Sequence, residues 1–162
     1  IDGVEICPDY IKPYHKFFYD SIFIEDALGF IKKTKNRYDL INCGDVIEHF
    51  EKKKALELIN LCLERSDYLL INIPVGVNWE QGAVNNNEYE RHRSRWSRSD
   101  FSIYNNCLIK EFKDIELRDF LVVLISKGKI DLKKAYGKYF NVKNVMKNKL
   151  GLEKLVSKIE KK

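Results

Sequence analysis

The sequence lacks the cysteine pairs and histidine spacings that hold metals, and it lacks long apolar runs. Its four cysteines are far apart, without a CxxC pair, and its three histidines form no HExxH pattern, so no metal site is predicted. No apolar run approaches the length of a membrane span, so none is predicted. Scattered cysteines in apolar contexts are typical of reduced thiols, which favours a cytoplasmic protein.

Positive charge is concentrated at the C-terminal end of the chain. Residues 129–162 hold eleven lysines against three acidic residues, a net charge of +8. Since the whole chain carries +5, residues 1–128 carry −3, which argues against a nucleic-acid-binding surface there. We predict a main domain over residues 1–128 and a basic helical tail over residues 129–162. The tail could contact an acidic partner or could simply be solvated.

The apolar pattern predicts alternating strands and helices. Strands are predicted over residues 1–6, 21–24, 38–43 and 68–73, with helices or helical turns over 8–19, 27–33, 52–65 and 99–104. This alternation indicates an α/β fold with a parallel sheet. Two strands over residues 112–117 and 120–126 are close enough to form an antiparallel hairpin. Two amphipathic helical pieces, interrupted by Gly151, are predicted over residues 142–158.

One motif joins a strand to an acidic turn and a helix. The residues Gly44-Asp45-Val46-Ile47-Glu48-His49 follow the strand over 38–43 and precede the helix over 52–65. With the order of the other elements, the motif resembles the fourth strand and following loop of class I S-adenosylmethionine-dependent methyltransferases of the small-molecule type. The resemblance covers residues 1–127. It implies a Rossmann-like, mostly parallel sheet with helices on both faces, an antiparallel C-terminal β-hairpin, and S-adenosylmethionine as cofactor.

The resemblance also implies roles for acidic residues at the strand ends. Glu5 would accept hydrogen bonds from the ribose hydroxyls, Asp26 from the adenine amino group, and Asp45 from the ammonium group of the methionine part. The implied cofactor-binding residues are Glu5, Ile6, Asp26, Ala27, Asp45 and Val46. From the residues alone, Glu5 could be an ordinary strand-end acid, Asp26 could be a helix N-cap, and Glu25 competes for the adenine role.

The polar, arginine-rich stretch over residues 77–98 is too long for a simple connection and is therefore expected to be functional. The resemblance implies that it covers the methyl acceptor. The implied acceptor-binding residues are Glu88, Tyr89, His92, Arg93 and Trp96. His49 and His92 are candidate catalytic bases, because imidazole titrates near neutrality. Alternatively, His49 only holds its loop, and Trp96 packs on the sheet while acidic residues pair with the arginines.

The family's first strand and glycine-rich turn have no counterpart in this chain. The glycines before residue 128 are isolated from one another, and Gly3 and Gly44 stand alone in the region of the resemblance. We therefore expect this sequence to be the remainder of a longer protein. An upstream segment of about fifty residues would supply a strand between those over residues 1–6 and 38–43.

These observations lead to one leading function and two alternatives. The resemblance implies transfer of a methyl group from S-adenosylmethionine to an oxygen or nitrogen of a small-molecule or sugar-like acceptor, without a nucleic-acid partner. One alternative is a nicotinamide-dependent (NAD) oxidoreductase, in which an acid after the second strand also binds ribose. The other is a non-catalytic interaction module that kept the fold and lost the cofactor site.

Overall fold

The fold consists of two β-sheets and two α-helices joined by short 3₁₀ turns. The computed structural model describes residues 1–76, 81–84, 86–113 and 118–128. The strands are β1 (Asp2–Glu5), β2 (Ser21–Ile24), β3 (Tyr38–Gly44), β4 (Ser66–Pro74), β5 (Cys107–Lys113) and β6 (Asp119–Ser126). The helices are α1 (Ala27–Lys33) and α2 (Lys52–Arg65). The 3₁₀ turns are Pro8–Tyr10, Pro13–Phe17, Ile47–His49, Glu88–Glu90 and Arg98–Phe101.

The sheets combine parallel and antiparallel pairing. β1 and β2 form a parallel two-stranded sheet, and the second sheet has the strand order β3-β4-β6-β5. In that second sheet β3 and β4 are parallel, whereas β6 runs antiparallel to both β4 and β5. The prediction of an α/β fold with a parallel sheet and a closing antiparallel hairpin is therefore confirmed.

The strands β1 and β3 belong to different sheets. Among the described residues, β1 pairs only with β2, and β3 pairs only with β4. A side-chain hydrogen bond connects the starts of the two strands, since Tyr38 Oη donates to Asp2 Oδ2 at 2.9 Å. Among the described residues, no strand pairs with both β1 and β3. The expected upstream segment stays a prediction.

The hydrophobic core lies around α2 and the centre of the larger sheet. Helix α2 buries an apolar face against β4 and α1, and β4 and β6 each bury every second side chain. Burying one such aliphatic side chain contributes roughly 1.5–3 kcal/mol. The buried apolar residues are Leu28, Ile31, Cys43, Ile47, Ala55, Leu58, Ile59, Cys62, Leu63, Leu69, Ile71, Ile73, Trp96, Phe101, Leu121, Val123 and Ile125. The loops at the strand ends therefore begin from strands that are packed in this core.

The largest differences between the predicted elements and the structure lie at three places. The hairpin begins at Cys107 rather than at residue 112, because the register from Cys107↔Ile125 to Lys113↔Asp119 pairs β5 with β6 along its whole length. The helix predicted over residues 8–19 is two 3₁₀ turns, each starting at a proline. The short helix predicted over residues 99–104 is the turn Arg98–Phe101.

Some predictions fall on residues that the structure does not describe. The helical tail over residues 129–162, the division of the chain at residue 128, and residues 114–117 of the predicted hairpin strand stay predictions. Among the described residues, no helix combines the length and the apolar character that crossing a membrane requires.

Candidate functional site

The six residues predicted to bind the cofactor line one cavity. Its volume is about 670 Å³, and it lies where β1, β2 and β3 end. Carboxyl ends of parallel strands are the usual position of ligand sites in open α/β sheets. The predicted residues at its wall are Glu5, Ile6, Asp26, Ala27, Asp45 and Val46, and His49, Tyr89 and Arg93 join them. The six predicted residues therefore come together around one cavity, and their roles in binding stay predictions.

Glu5 is the last residue of β1, and its carboxylate is held at the cavity wall. Its Oε1 accepts a hydrogen bond from the Cys7 amide at 2.7 Å, which orients the side chain. Its backbone carbonyl accepts from the Glu25 amide at 3.1 Å, so the pairing of β1 with β2 continues to this point. A carboxylate fixed in this way offers acceptor oxygens to a ligand hydroxyl.

Asp26 both caps a helix and lines the cavity. Its Oδ1 accepts from the Gly29 amide at 2.8 Å, which identifies Asp26 as the N-cap of α1. The N-cap interpretation is confirmed and is compatible with ligand binding, since the same side chain lines the cavity. The competing Glu25 also lines the cavity, but it forms an ion pair with Lys33.

Asp45 occupies a backbone conformation that few side chains tolerate. Its φ of 51° is left-handed, a conformation in which Asp is enriched, and its amide donates to the Asn72 carbonyl at 2.9 Å. The carboxylate is open to the cavity, yet desolvation by the surrounding protein raises its pKa, and His49 and His92 oppose that shift. The turn after β3 thus presents a carboxyl group to the cavity.

His49 ends the 3₁₀ turn Ile47–His49 and contacts the arginine-rich loop. Its Nδ1 lies 3.3 Å from the Arg91 carbonyl oxygen. Because a carbonyl only accepts, Nδ1 carries the hydrogen, and the neutral ring keeps its lone pair on Nε2. Burial lowers the pKa of His49, and the neighbouring His92 lowers it further. His49 therefore holds the loop and also presents a neutral imidazole to the cavity.

The arginine-rich loop is attached to the turn before α2. The Glu48 carbonyl accepts from the Arg93 amide at 2.8 Å and from the Ser94 amide at 3.1 Å. These contacts place the His92 ring 5.1 Å from the His49 ring, measured between centroids. The two histidines predicted as candidate bases are thus neighbours in space, although they lie far apart in the sequence.

Three residues predicted to bind the acceptor do not line the cavity: Glu88, His92 and Trp96. Trp96 is 3% exposed, stacks on Phe101 with 5.4 Å between ring centroids, and donates from Nε1 to Ser94 Oγ at 2.9 Å. The Lys52 ammonium lies 3.5 Å from the centroid of the Trp96 ring. Trp96 is therefore packed in the core, as the alternative predicted, although its described contacts are with the turn Arg98–Phe101 and the start of α2 rather than with the sheet. Glu88 is exposed and pairs with Arg91, as the same alternative predicted for the acidic residues of this loop.

Sequence reasoning assigned no role to three residues at or beside the cavity. Asn87 Nδ2 donates to Tyr10 Oη at 3.1 Å, and both residues line the cavity. A hydrogen bond with Glu90 raises the pKa of Tyr10. Beside them Glu48 is buried, and burial raises the pKa of its carboxyl to about 8. A Glu-His pair directly after a strand is the one signal that could have pointed to Glu48.

Comparison by sequence gives no assignment: no protein-family model matches this chain, and no curated protein matches it. Comparison by structure gives clear matches. The N-terminal domain of EvdMO1 with SAH bound superposes with a TM-score of 0.53 at 12% identity, over 78% of this chain and 65% of that one. Magnesium protoporphyrin IX methyltransferase from Synechocystis with bound SAM gives 0.51 at 11% identity, over 78% and 59%.

The small RNA methyltransferase HEN1 gives a TM-score of 0.52 at 17% identity, over 81% of this chain and 21% of that one. This chain therefore spans less than two thirds of each of these three proteins. At such low identities the likeness concerns the fold alone. The chain has the Rossmann-like fold of class I S-adenosylmethionine-dependent methyltransferases.

Proposed function

We propose that this chain is part of a methyltransferase that transfers a methyl group from S-adenosylmethionine to an oxygen or nitrogen of a small-molecule or sugar-like acceptor. The observation that carries the proposal is the arrangement of three carboxyl groups around one cavity. Glu5, Asp26 and Asp45 line a space of about 670 Å³, within the range of roughly 300–1,000 Å³ typical of small-molecule sites.

The donor and acceptor groups at the cavity wall fit this cofactor. Glu5 would accept hydrogen bonds from the ribose diol, because one carboxylate offers two acceptor oxygens. Asp26 keeps Oδ1 on the Gly29 amide and would use Oδ2 for the adenine amino group, beside the Ala27 backbone. Asp45 would bind the ammonium group. The cofactor supplies, when bound, a methyl group activated by its bond to a positively charged sulfur.

The chain's remaining groups would position the acceptor. Tyr89 and Arg93 lie at the wall, and the guanidinium of Arg93 suits an acceptor that carries a carboxylate or phosphate. His49 holds a lone pair on Nε2 that can take a proton from the acceptor. Alignment of the reacting atoms would supply much of the rate enhancement in such a transfer. Because HEN1 shares this fold, the exclusion of an RNA acceptor stays a prediction.

Isothermal titration of the full chain with S-adenosylhomocysteine and, separately, with NAD tests the proposal. We expect S-adenosylhomocysteine to bind one to one and NAD not to bind. Glu5→Gln should weaken S-adenosylhomocysteine about tenfold or more, since a charged hydrogen-bond acceptor is lost. Glu111→Gln is the matched control, because Glu111 lies on β5 away from the cavity and pairs with Arg98. Binding of NAD alone, or equal affinities of the two variants, would reject the proposal.

A further inference from the structure

Three side chains that can ligate a metal converge beside the cavity. One ligand atom each from Glu48, His49 and His92 lies within 4.8 Å of the other two. His49 lines the cavity, whereas Glu48 lies behind it with 1% of its surface exposed. Distances of this size allow one ion to contact all three groups after small side-chain rotations.

The carboxyl group of Glu48 lacks partners inside the described part of the protein. Neither Oε1 nor Oε2 has a hydrogen-bond partner there, although both atoms are fully buried. An unpartnered buried carboxyl is costly, and an ionised one far more so. The charged groups that act on it most are Asp45 and Glu90, which are both acidic. Both oppose ionisation of Glu48, whereas a bound cation would favour it.

The backbone fixes His92 beside Glu48 from both sides. Before His92, the Arg91 carbonyl accepts from His49 Nδ1; after it, the Arg93 amide donates to the Glu48 carbonyl. The first contact also sets the His49 tautomer, so that Nε2 carries the lone pair that a metal needs. In metal sites, such a hydrogen bond on the second ring nitrogen orients the ligand. The cluster is thus organised without an ion.

We propose that Glu48, His49 and His92 bind one divalent transition-metal ion of the series from manganese to zinc. Two imidazoles and one carboxylate suit these ions, whereas magnesium and calcium prefer oxygen ligands alone. Three protein ligands leave further positions of the ion open for water or an oxygen ligand. The site goes beyond the proposed methyl transfer, because an ion can bind here whether or not the cavity takes S-adenosylmethionine. An ion on His49 Nε2 would occupy the lone pair that otherwise could accept a proton from the acceptor, so the metal site replaces that role of His49.

The full chain, treated with a chelator and dialysed, should be titrated with Mn²⁺, Zn²⁺ and Mg²⁺ by calorimetry in the absence of any nucleoside. We expect one Mn²⁺ or Zn²⁺ per chain and much weaker binding of Mg²⁺. Glu48→Gln and His92→Asn should each weaken Mn²⁺ by about tenfold or more, the loss seen even for groups that only orient a ligand. His15→Asn is the matched control, since His15 lies between Tyr14 and Tyr19 and outside the cluster.

A Co²⁺ absorption spectrum distinguishes this site from the cysteines. We expect bands of nitrogen and oxygen ligands without thiolate charge transfer, and their loss in His92→Asn. Equal Mn²⁺ affinity in all variants, or Co²⁺ bands from thiolates only, would overturn the proposal. Circular dichroism should accompany each titration; if Glu48→Gln does not fold, His92→Asn decides. Metal binding without S-adenosylhomocysteine binding would reject the methyltransferase proposal alone. Binding of S-adenosylhomocysteine without metal binding would reject the metal site alone.

Discussion

The Glu48 carbonyl accepts a hydrogen bond of 2.8 Å from the Arg93 amide. Together with the bond from the Ser94 amide to the same carbonyl, this contact joins the turn after β3 to the arginine-rich loop, and with it the two candidate histidines. The side chain of Arg93 is not needed for the contact, because the amide makes it. The backbone therefore sets the distance between the turn after β3 and the arginine-rich loop.

Removing that amide should loosen the loop. Arg93→Pro lacks the N–H and should lower the free energy of unfolding by about 0.5–1.5 kcal/mol, since the Glu48 carbonyl loses one of its two amide partners and keeps the Ser94 amide. Arg93→Ala keeps the N–H and should change it by less than about 0.5 kcal/mol. Urea denaturation of both variants measures the difference. Equal stabilities would show that the contact does not hold the loop.

Stability should depend on pH through Glu48 when metal is absent. Its folded pKa of about 8 lies above the ordinary value of 4.5, mainly because the carboxyl is buried. The folded state therefore holds this proton more tightly than the unfolded state. The contribution of Glu48 to the free energy of unfolding is complete below pH 4.5 and is lost as pH rises through about 8. Between these values the free energy of unfolding should fall by no more than about 1.4 kcal/mol per pH unit.

Urea denaturation at several pH values, with a chelator present, measures this dependence. The difference between the wild type and Glu48→Gln isolates the Glu48 contribution from that of His49, whose lowered pKa acts in the opposite direction. Glu111→Gln should keep the slope of the wild type. A slope that Glu48→Gln leaves unchanged would mean that Glu48 is ionised in the folded protein.

Asp26 should show two separable functions. Asp26→Ala removes the N-cap of α1 and should lower the free energy of unfolding by about 0.5–2 kcal/mol. Asp26→Ser keeps a capping oxygen and should restore most of that stability, but it lacks the second oxygen that would face adenine. Denaturation and titration with S-adenosylhomocysteine should be measured on both variants. If Asp26→Ser restored affinity as well as stability, the adenine role would be wrong.

Trp96 should act on stability and not on acceptor selection. It is buried against Phe101, so Trp96→Ala should cost about 3–5 kcal/mol of unfolding free energy. Trp96→Phe keeps most of the packing and should cost less, while losing the hydrogen bond to Ser94. Thermal and urea denaturation give these values. An unchanged stability of Trp96→Ala would contradict its place in the core.

Local sequence patterns predicted the elements that position the cavity. The apolar face of α2 repeats with the helical period, and the boundaries predicted for α1 and α2 agree with the structure. The acids at the ends of β1 and β3 could be located because a strand followed by an acid is a short-range signal. Parallel strands then bring those ends together.

The features that local sequence patterns did not predict depend on contacts between distant parts of the chain. The start of β5 is fixed by its pairing with β6, and Cys107 has no local signal that marks it. Trp96 was an open question because an indole serves equally well in a core or in a binding site. The cluster of Glu48, His49 and His92 crosses two loops, so no spacing rule could find it. The cytoplasmic location and the acidic partner of the tail stay predictions.

The separation of β1 from β3 has a consequence for what can pair with this chain. Within the described residues each of these strands has a ladder on one side only, so each presents a row of backbone donors and acceptors. Such a row is a template for adding a strand from another polypeptide. A strand from the expected upstream segment, or an added peptide of β-forming sequence, should therefore pair with these edges.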